Sequence, residues 1–265
     1  MTTPSERDGA IRKKKTQRDP ARAPASAKAD RGLVAYLKHR HDPLTSLVLT
    51  IPVFLVYHLG ILLIDVRNGV DLVSVLTIEL LRRSVWAYIG VTLAFAAGLV
   101  LAGFIMRKRG AIKPAALPPV VAESAVWSVL MMMCVGWATA HVFSMQIGPR
   151  TLGPFEKLVM AAGAGFHEEI VFRVLLFAGG AYVLSRFLRR SRTVSVVIAA
   201  LVSSVLFSLV HYIGALGDTF TIMTFTFRIL AGLFLVGVYH FRGFAVAVYT
   251  HAFYDLLVFF FVGRG

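Results

Sequence analysis

The stretch FHEEIVFRVLL, Phe166 to Leu176, sets two adjacent glutamates and an arginine in the middle of a hydrophobic run. In a bilayer core each bare charge at mid-depth costs about 2.5–3.5 kcal/mol on insertion scales. Glu168, Glu169 and Arg173 therefore need partners, a chemical task, or both. On a helix, Glu169 and Arg173 stand at i and i+4 on one face, where opposite charges pair. Glu168 lies about 100° round the helix, so the same arginine does not readily satisfy it. That leaves one carboxylate for chemistry. A plainer reading makes the stretch a structural ion pair with a second glutamate facing an aqueous cavity.

The rest of the chain decides where this stretch sits. Of 265 residues, 57% are apolar and only 16% charged, and the mean hydropathy is +0.72. The apolar residues come in runs of about 20, the length that crosses a bilayer as a helix. The expected fold is all-α, a polytopic transmembrane bundle of about seven spans near 44–64, 86–106, 120–143, 155–188, 193–213, 220–240 and 244–262. The fourth run is too long. Its 34 residues would rise about 51 Å as an α-helix, against about 30 Å of hydrocarbon. It must protrude, tilt or break, and Gly179-Gly180 is the expected break.

A net charge of +14 invites a nucleic-acid reading, but the distribution argues against it. Residues 1–40 hold eleven Lys/Arg against four Asp/Glu, half of the excess, in a Pro/Ala/Ser-rich stretch that reads as a basic cytoplasmic tail ending in an interfacial segment. The first long apolar run begins only near Leu44, which argues against a cleaved signal peptide. Residues 71–83 mix apolar and charged types, as an interfacial helix does. With seven spans, the basic segments 107–113, 189–192 and 241–243 fall on the side of the tail, and the acidic GALGD, residues 214–218, on the other. Arg82 and Arg83 break that pattern. The single cysteine, Cys134, excludes an intrachain disulfide and a cysteine-based zinc site.

Three more features share the membrane context. FSLVH places Phe207 and His211 at i and i+4 in the fifth span, HAFYD does the same for His251 and Asp255 in the seventh, and Arg228 stands inside the sixth. Each has a plain alternative: an interfacial His211, a hydrogen-bonded His251–Asp255 pair, and an Arg228 paired with Asp255, Glu123 or a helix C-terminus. His58, His141 and His240 lie near span ends and read as interfacial, and His167 is expected to point away from the carboxylates. Together the polar groups make a reaction kit. A desolvated carboxylate can take a proton from water, one imidazole can share that water, and another can donate to a developing oxyanion. No serine or cysteine stands in a nucleophile-elbow or Cys-His pattern, so water is the expected nucleophile. The HExxH helix of zinc peptidases is absent, since Val171 follows four residues after His167.

EExxxR, then FxxxH, then HxxxN/D on successive hydrophobic segments resembles the CPBP family of intramembrane glutamic endopeptidases, which includes CAAX prenyl endopeptidases and bacteriocin-processing (Abi) proteins. The resemblance covers about residues 155–262. It implies that Glu168 with His211 activates water, that Glu169 supports the site through Arg173, and that His251 and Asp255 form the oxyanion hole, with no metal or cofactor. The family's best-studied branch carries Asn where this chain has Asp255, and an ionised Asp donates no hydrogen bond. The organisation implied is a tail over 1–40, N-terminal spans over 41–154 and a catalytic core over 155–265. The expected partners are the lipid bilayer and a membrane-anchored or lipid-modified protein substrate, and the expected location is the bacterial plasma membrane. A zinc peptidase built on Glu168, His211 and His251, and a proton-coupled transporter, are the competing readings.

Overall fold

The computed structural model describes residues 36, 42–64, 84–106, 114–139, 152–187, 189, 191–213 and 218–262. The tail apart from Tyr36, the 71–83 segment, the 107–113 loop, residues 214–217, His141, Arg82 and Arg83 lie outside them. The chain divides into two compact units, Met1–His39 and Arg40–Gly265, and every element named below belongs to the second. Among the described residues all regular structure is helical.

The first predicted span is two helices, α1 (Pro43–Leu49) and α2 (Ile51–Gly60), bent by 42°. Asp42 starts α1 by accepting from the backbone N–H groups of Leu44 and Thr45, with Pro43 in the first turn. Pro52 brings no N–H to the ladder, so the chain restarts at Thr50 instead of running straight through. α3 (Val85–Met106) and α4 (Leu117–Thr139) follow, the latter entered through a 3₁₀ turn at Pro114–Ala116. Ser191 and Thr221 cap α7 (Arg192–Val210) and α8 (Ile222–Arg242) with their hydroxyls. Gly243 alone separates α8 from α9 (Phe244–Leu257), at φ 97°, where a side chain would be strained. A π-helical turn, Val258–Val262, closes the bundle.

The overlong fourth run does not break at Gly179-Gly180. It is helical from α5 (Pro154–Gly163) through a π-helical segment, Ala164–Gly179, into α6 (Gly180–Arg186). Gly179 and Gly180 keep helical angles (φ −62°, ψ −45° and φ −60°, ψ −47°), so what changes there is the hydrogen-bond step, from i→i+5 to i→i+4. A π-helix winds more residues into each turn, which shortens the run below its α-helical length. Such helices are usually single turns at functional sites, and this one holds both glutamates and the arginine.

Among the described residues, four helices are long and apolar enough to cross a membrane (Leu117–Gly136, Arg192–Val210, Ile222–Arg242 and Phe244–Phe261), or five with the bent α1–α2 pair. Of the remaining predicted spans, α3 is apolar along its whole length, and the fourth run is helical with its charges mid-length. At the centre stands α9, whose Ala245, Val246, Ala247 and Val248 are completely buried. It packs on α4, α8, α5 and the π segment. Gly165 makes the last of these approaches: a Cβ there would lie 2.7 Å from the Val248 carbonyl oxygen and 2.9 Å from Ala252 Cβ. Close approach through small residues is the usual way helices pack in lipid. Buried polar bonds hold the rest. Tyr249 donates to the Leu49 carbonyl (2.9 Å), Ser124 to that of Val246 (3.2 Å), and Arg242 clasps Glu123 through Nε (2.5 Å) and Nη2 (3.1 Å). Arg242, counted above among loop charges, is thus interior.

Candidate active site

Glu168 and Glu169 leave the π segment toward α9. Glu169 is fully buried and Arg173 is 1% exposed, with Arg173 Nε 3.1 Å from Glu169 Oε2. Both Nη groups of Arg173 lack a hydrogen-bond acceptor among the described residues. The guanidinium instead lies over the ring of Phe207, 4.5 Å from its centroid, and a cation over an aromatic face recovers part of what desolvation costs.

The other oxygen of Glu169 receives His251 Nδ1 at 2.7 Å. A carboxylate only accepts, so Nδ1 carries the proton and Nε2 is the working nitrogen of the ring. Nε2 faces Glu168 Oε2 at 3.9 Å and Asp255 Oδ2 at 3.8 Å. Both separations are too long for a direct hydrogen bond and suit one bridged by water. His251 and Asp255 therefore face each other from one side of α9 without the direct bond that i and i+4 spacing allows. Asp255 is the more open of the acids, its side chain 20% exposed against 8% for Glu168.

His211 ends α7 as its C-cap, with Nδ1 donating to the Phe207 carbonyl at 2.7 Å. A carbonyl also only accepts, so in this ring too Nε2 is left for other work. His211 is within electrostatic reach of Glu168 and His251. Phe207 joins the two parts: its ring lies 5.0 Å from that of His211, 5.8 Å from that of His251 and 5.3 Å from that of Phe172. Five of the six predicted residues, Glu168, Glu169, Arg173, His251 and Asp255, thus form one chain of contacts across two segments 82 residues apart, and Phe207 links His211 to it.

Sequence spacing marked Phe207 only as the start of FxxxH, and nothing in it announced a ring shared by an arginine and two histidines. It also assigned the pairing of Glu169 to Arg173 alone, where the structure gives that carboxylate a second partner in His251. Other expectations need correction. His58 is an interior residue: it is 3% exposed, its Nδ1 is 2.6 Å from Tyr88 Oη, and its ring packs at a tilt against those of Phe54 and His167. Phe54 and His58 share the face of α2 turned to the π segment, and an imidazole there needs the tyrosine to satisfy it. Arg228 pairs with neither Asp255 nor Glu123. It takes Asp218, because it sits in the second turn of α8 beside that loop, and Glu123 is already held by Arg242. His167 does point away from the carboxylates, onto the Gly163 carbonyl (3.1 Å) and the Tyr57 ring (4.8 Å). His240 is exposed at the end of α8. Among the described residues no three His, Cys, Asp or Glu side chains converge as the ligands of a metal ion would.

All six residues fall within residues 150–257, which match the family model described as Type II CAAX prenyl endopeptidase Rce1-like. No curated protein matches the chain, and no solved structure does.

Proposed function

From the match of residues 150–257 to the type II CAAX prenyl endopeptidase Rce1-like family model, we propose that this integral membrane protein cleaves peptide bonds with water activated by Glu168. The family supports a CAAX-type protease acting on a membrane-associated protein. The glutamate mechanism rests on one observation: His251, held through Nδ1 by Glu169, directs Nε2 at Glu168 across a gap of 3.9 Å. With the ring doubly protonated, a water in that gap accepts from Nε2–H and donates to Glu168.

Glu168 takes a proton from the water as its oxygen attacks the carbonyl carbon of the scissile bond, and the carbonyl π electrons move onto oxygen. The oxyanion then accepts a hydrogen bond from Nε2 of His251 in its doubly protonated form, which Glu169 balances from behind. Collapse expels the amine, which leaves with the proton held by Glu168, so one water is consumed and an acid and an amine form. His211, fixed by the Phe207 carbonyl, shares the attacking water from the α7 side. Arg173 neutralises Glu169 and so leaves Glu168 as the base. The substrates that suit such a site are lipid-modified or membrane-anchored proteins and C-terminal sorting or leader segments.

The test is Glu168→Gln in full-length protein purified in detergent. The change is nearly isosteric and removes a buried charge, so the protein should keep its fold and lose cleavage. A chelator should leave the parent's rate unchanged. Cleavage by the Gln variant at the parent's rate ends the glutamate mechanism, and loss of the parent's activity to the chelator would favour a metal.

A further inference from the structure

The proposed chemistry makes no use of Arg228, although it is a cation inside a membrane span and only 6% exposed. Its guanidinium lies over the ring of Tyr212, 5.1 Å from the centroid, and Nη2 pairs with Asp218. Nη1 is buried without a hydrogen-bond acceptor among the described residues. On the neighbouring helix, Tyr254 is also 6% exposed, and its hydroxyl likewise has no hydrogen-bond partner among the described residues. Tyr254 packs in one cluster with Phe227 and Ala231, which flank Arg228 on α8. Arg228 also lies within electrostatic reach of Tyr254 and of His211. Two buried donors left without acceptors at one seam are costly, and they call for a ligand that supplies lone pairs.

The partner that Arg228 does have shows which kind. Asp218 is a carboxylate, and its side chain is 35% exposed against 8% for that of Arg228. Its own N–H donates to the His211 carbonyl at 2.9 Å, so it sits directly beside the candidate active site. Tyr254 adjoins Asp255 in the chain, and Tyr212 adjoins His211.

We propose that Arg228 and Tyr254 form a receiving site for the C-terminal carboxylate of the substrate, and that Asp218 is a resident carboxylate which the substrate displaces. The inference deepens the endopeptidase reading and rests on it. A guanidinium offers paired N–H donors in the plane that matches the two oxygens of a carboxylate, and the tyrosine hydroxyl adds a third donor. Exchange of one carboxylate for another leaves the local charge unchanged, which matters beside Glu168 and Asp255. A chain fixed by its end at Arg228 passes His211 and Asp255 on its way to Glu168. The scissile bond is then chosen by its distance from the C-terminus.

The experiment compares two fluorescein-labelled, S-alkylated peptides that differ only at the end, one a free acid and the other a carboxamide. Binding is read by anisotropy on full-length Glu168→Gln protein, which holds peptide without cutting it. The acid should bind about tenfold tighter or better, as expected when a charged hydrogen-bond partner is lost from the amide. Adding Arg228→Gln should bring the two Kd values within about twofold by weakening the acid alone, as a bidentate partner is removed. Adding Tyr254→Phe should narrow the gap in part, and Asp218→Asn should tighten the acid. Equal binding of acid and amide overturns the proposal, as does a gap that survives Arg228→Gln. If Arg228→Gln does not fold, the acid–amide ratio and its change in Tyr254→Phe decide the matter. Cleavage by the parent protein is scored separately: preference for the acid without cleavage of either peptide keeps the carboxylate site and refutes the hydrolase reading.

Discussion

Removing Glu169 tests both its bonds at once. Glu169→Leu leaves the fully buried Arg173 guanidinium without its carboxylate, and Arg173→Met leaves the carboxylate without its cation. Breaking a buried pair from one side costs about 3–5 kcal/mol, because a bare charge stays in the interior. Replacing both partners by apolar residues of similar volume leaves no bare charge. The remaining loss is the acceptor of His251 Nδ1, now buried and unsatisfied, at about 1–3 kcal/mol. The double variant should therefore be about as stable as the better single variant or more so, far from the sum of the two. Unfolding followed by circular dichroism during an SDS titration of the micellar protein measures this. Activity should part company with stability. With Glu169 gone, nothing orients the His251 ring or balances its charge, and cleavage should stay down by about 10²–10⁴-fold in the double variant as in the single. A double variant as unstable as the two singles combined would refute the buried pair. One that folds and cleaves like the parent would refute the orienting role of Glu169.

Three further changes probe other parts of the site. Gly165→Ala puts a methyl 2.7 Å from the Val248 carbonyl oxygen, so it should push the π segment off α9, cost about 1–3 kcal/mol and lower cleavage; an SDS midpoint equal to the parent's would show that the helices have slack. Asp255→Asn should stay folded and within a few-fold of parental activity, because Asn offers a donor where an ionised Asp has none; a folded but inactive Asn variant excludes a donor role, and a 10–100-fold loss matched by chelator sensitivity points to a metal ligand. Single cysteines in residues 214–218, in a Cys134→Ala background, should react with a membrane-impermeant thiol reagent on intact cells if that loop is extracytoplasmic, as the basic tail and loops imply; protection there with labelling at 189–192 would reverse the orientation.

The helical fold and the sites of its helices were legible because bilayer-length apolar runs carry them. Charge in the wrong solvent made the candidate residues legible too. Glu168, Glu169, Arg173, His251 and Asp255 stand out in sequence because an apolar run has no cheap way to hold them. Hydrophobicity alone cannot reveal which of several buried charges meet. Arg228 read as a charge inside a span and Arg242 as a loop charge, yet both are interior, paired from opposite ends of α8 with Asp218 in the adjoining loop and Glu123 on α4. Helical type was equally hidden. Side-chain period does not announce an i→i+5 ladder at Ala164–Gly179, so the excess length was read as a break. The role of His58 depended on Tyr88, 30 residues away, and no local pattern encodes that contact.

The clasp between Arg242 and Glu123 bears on how this protein can be divided. Residues 150–257 carry the family likeness, but Glu123 lies outside them, and so does the Leu49 carbonyl that receives the Tyr249 hydroxyl. A polypeptide starting at residue 150 would bury Arg242 with no carboxylate and bare the face of α9 that α4 covers. Losing one member of such a pair costs as much as many domains have to spare. The border of the likeness is therefore not a border of folding. The two halves made as separate chains should mature only together, with the N-terminal half serving the C-terminal one as a folding template.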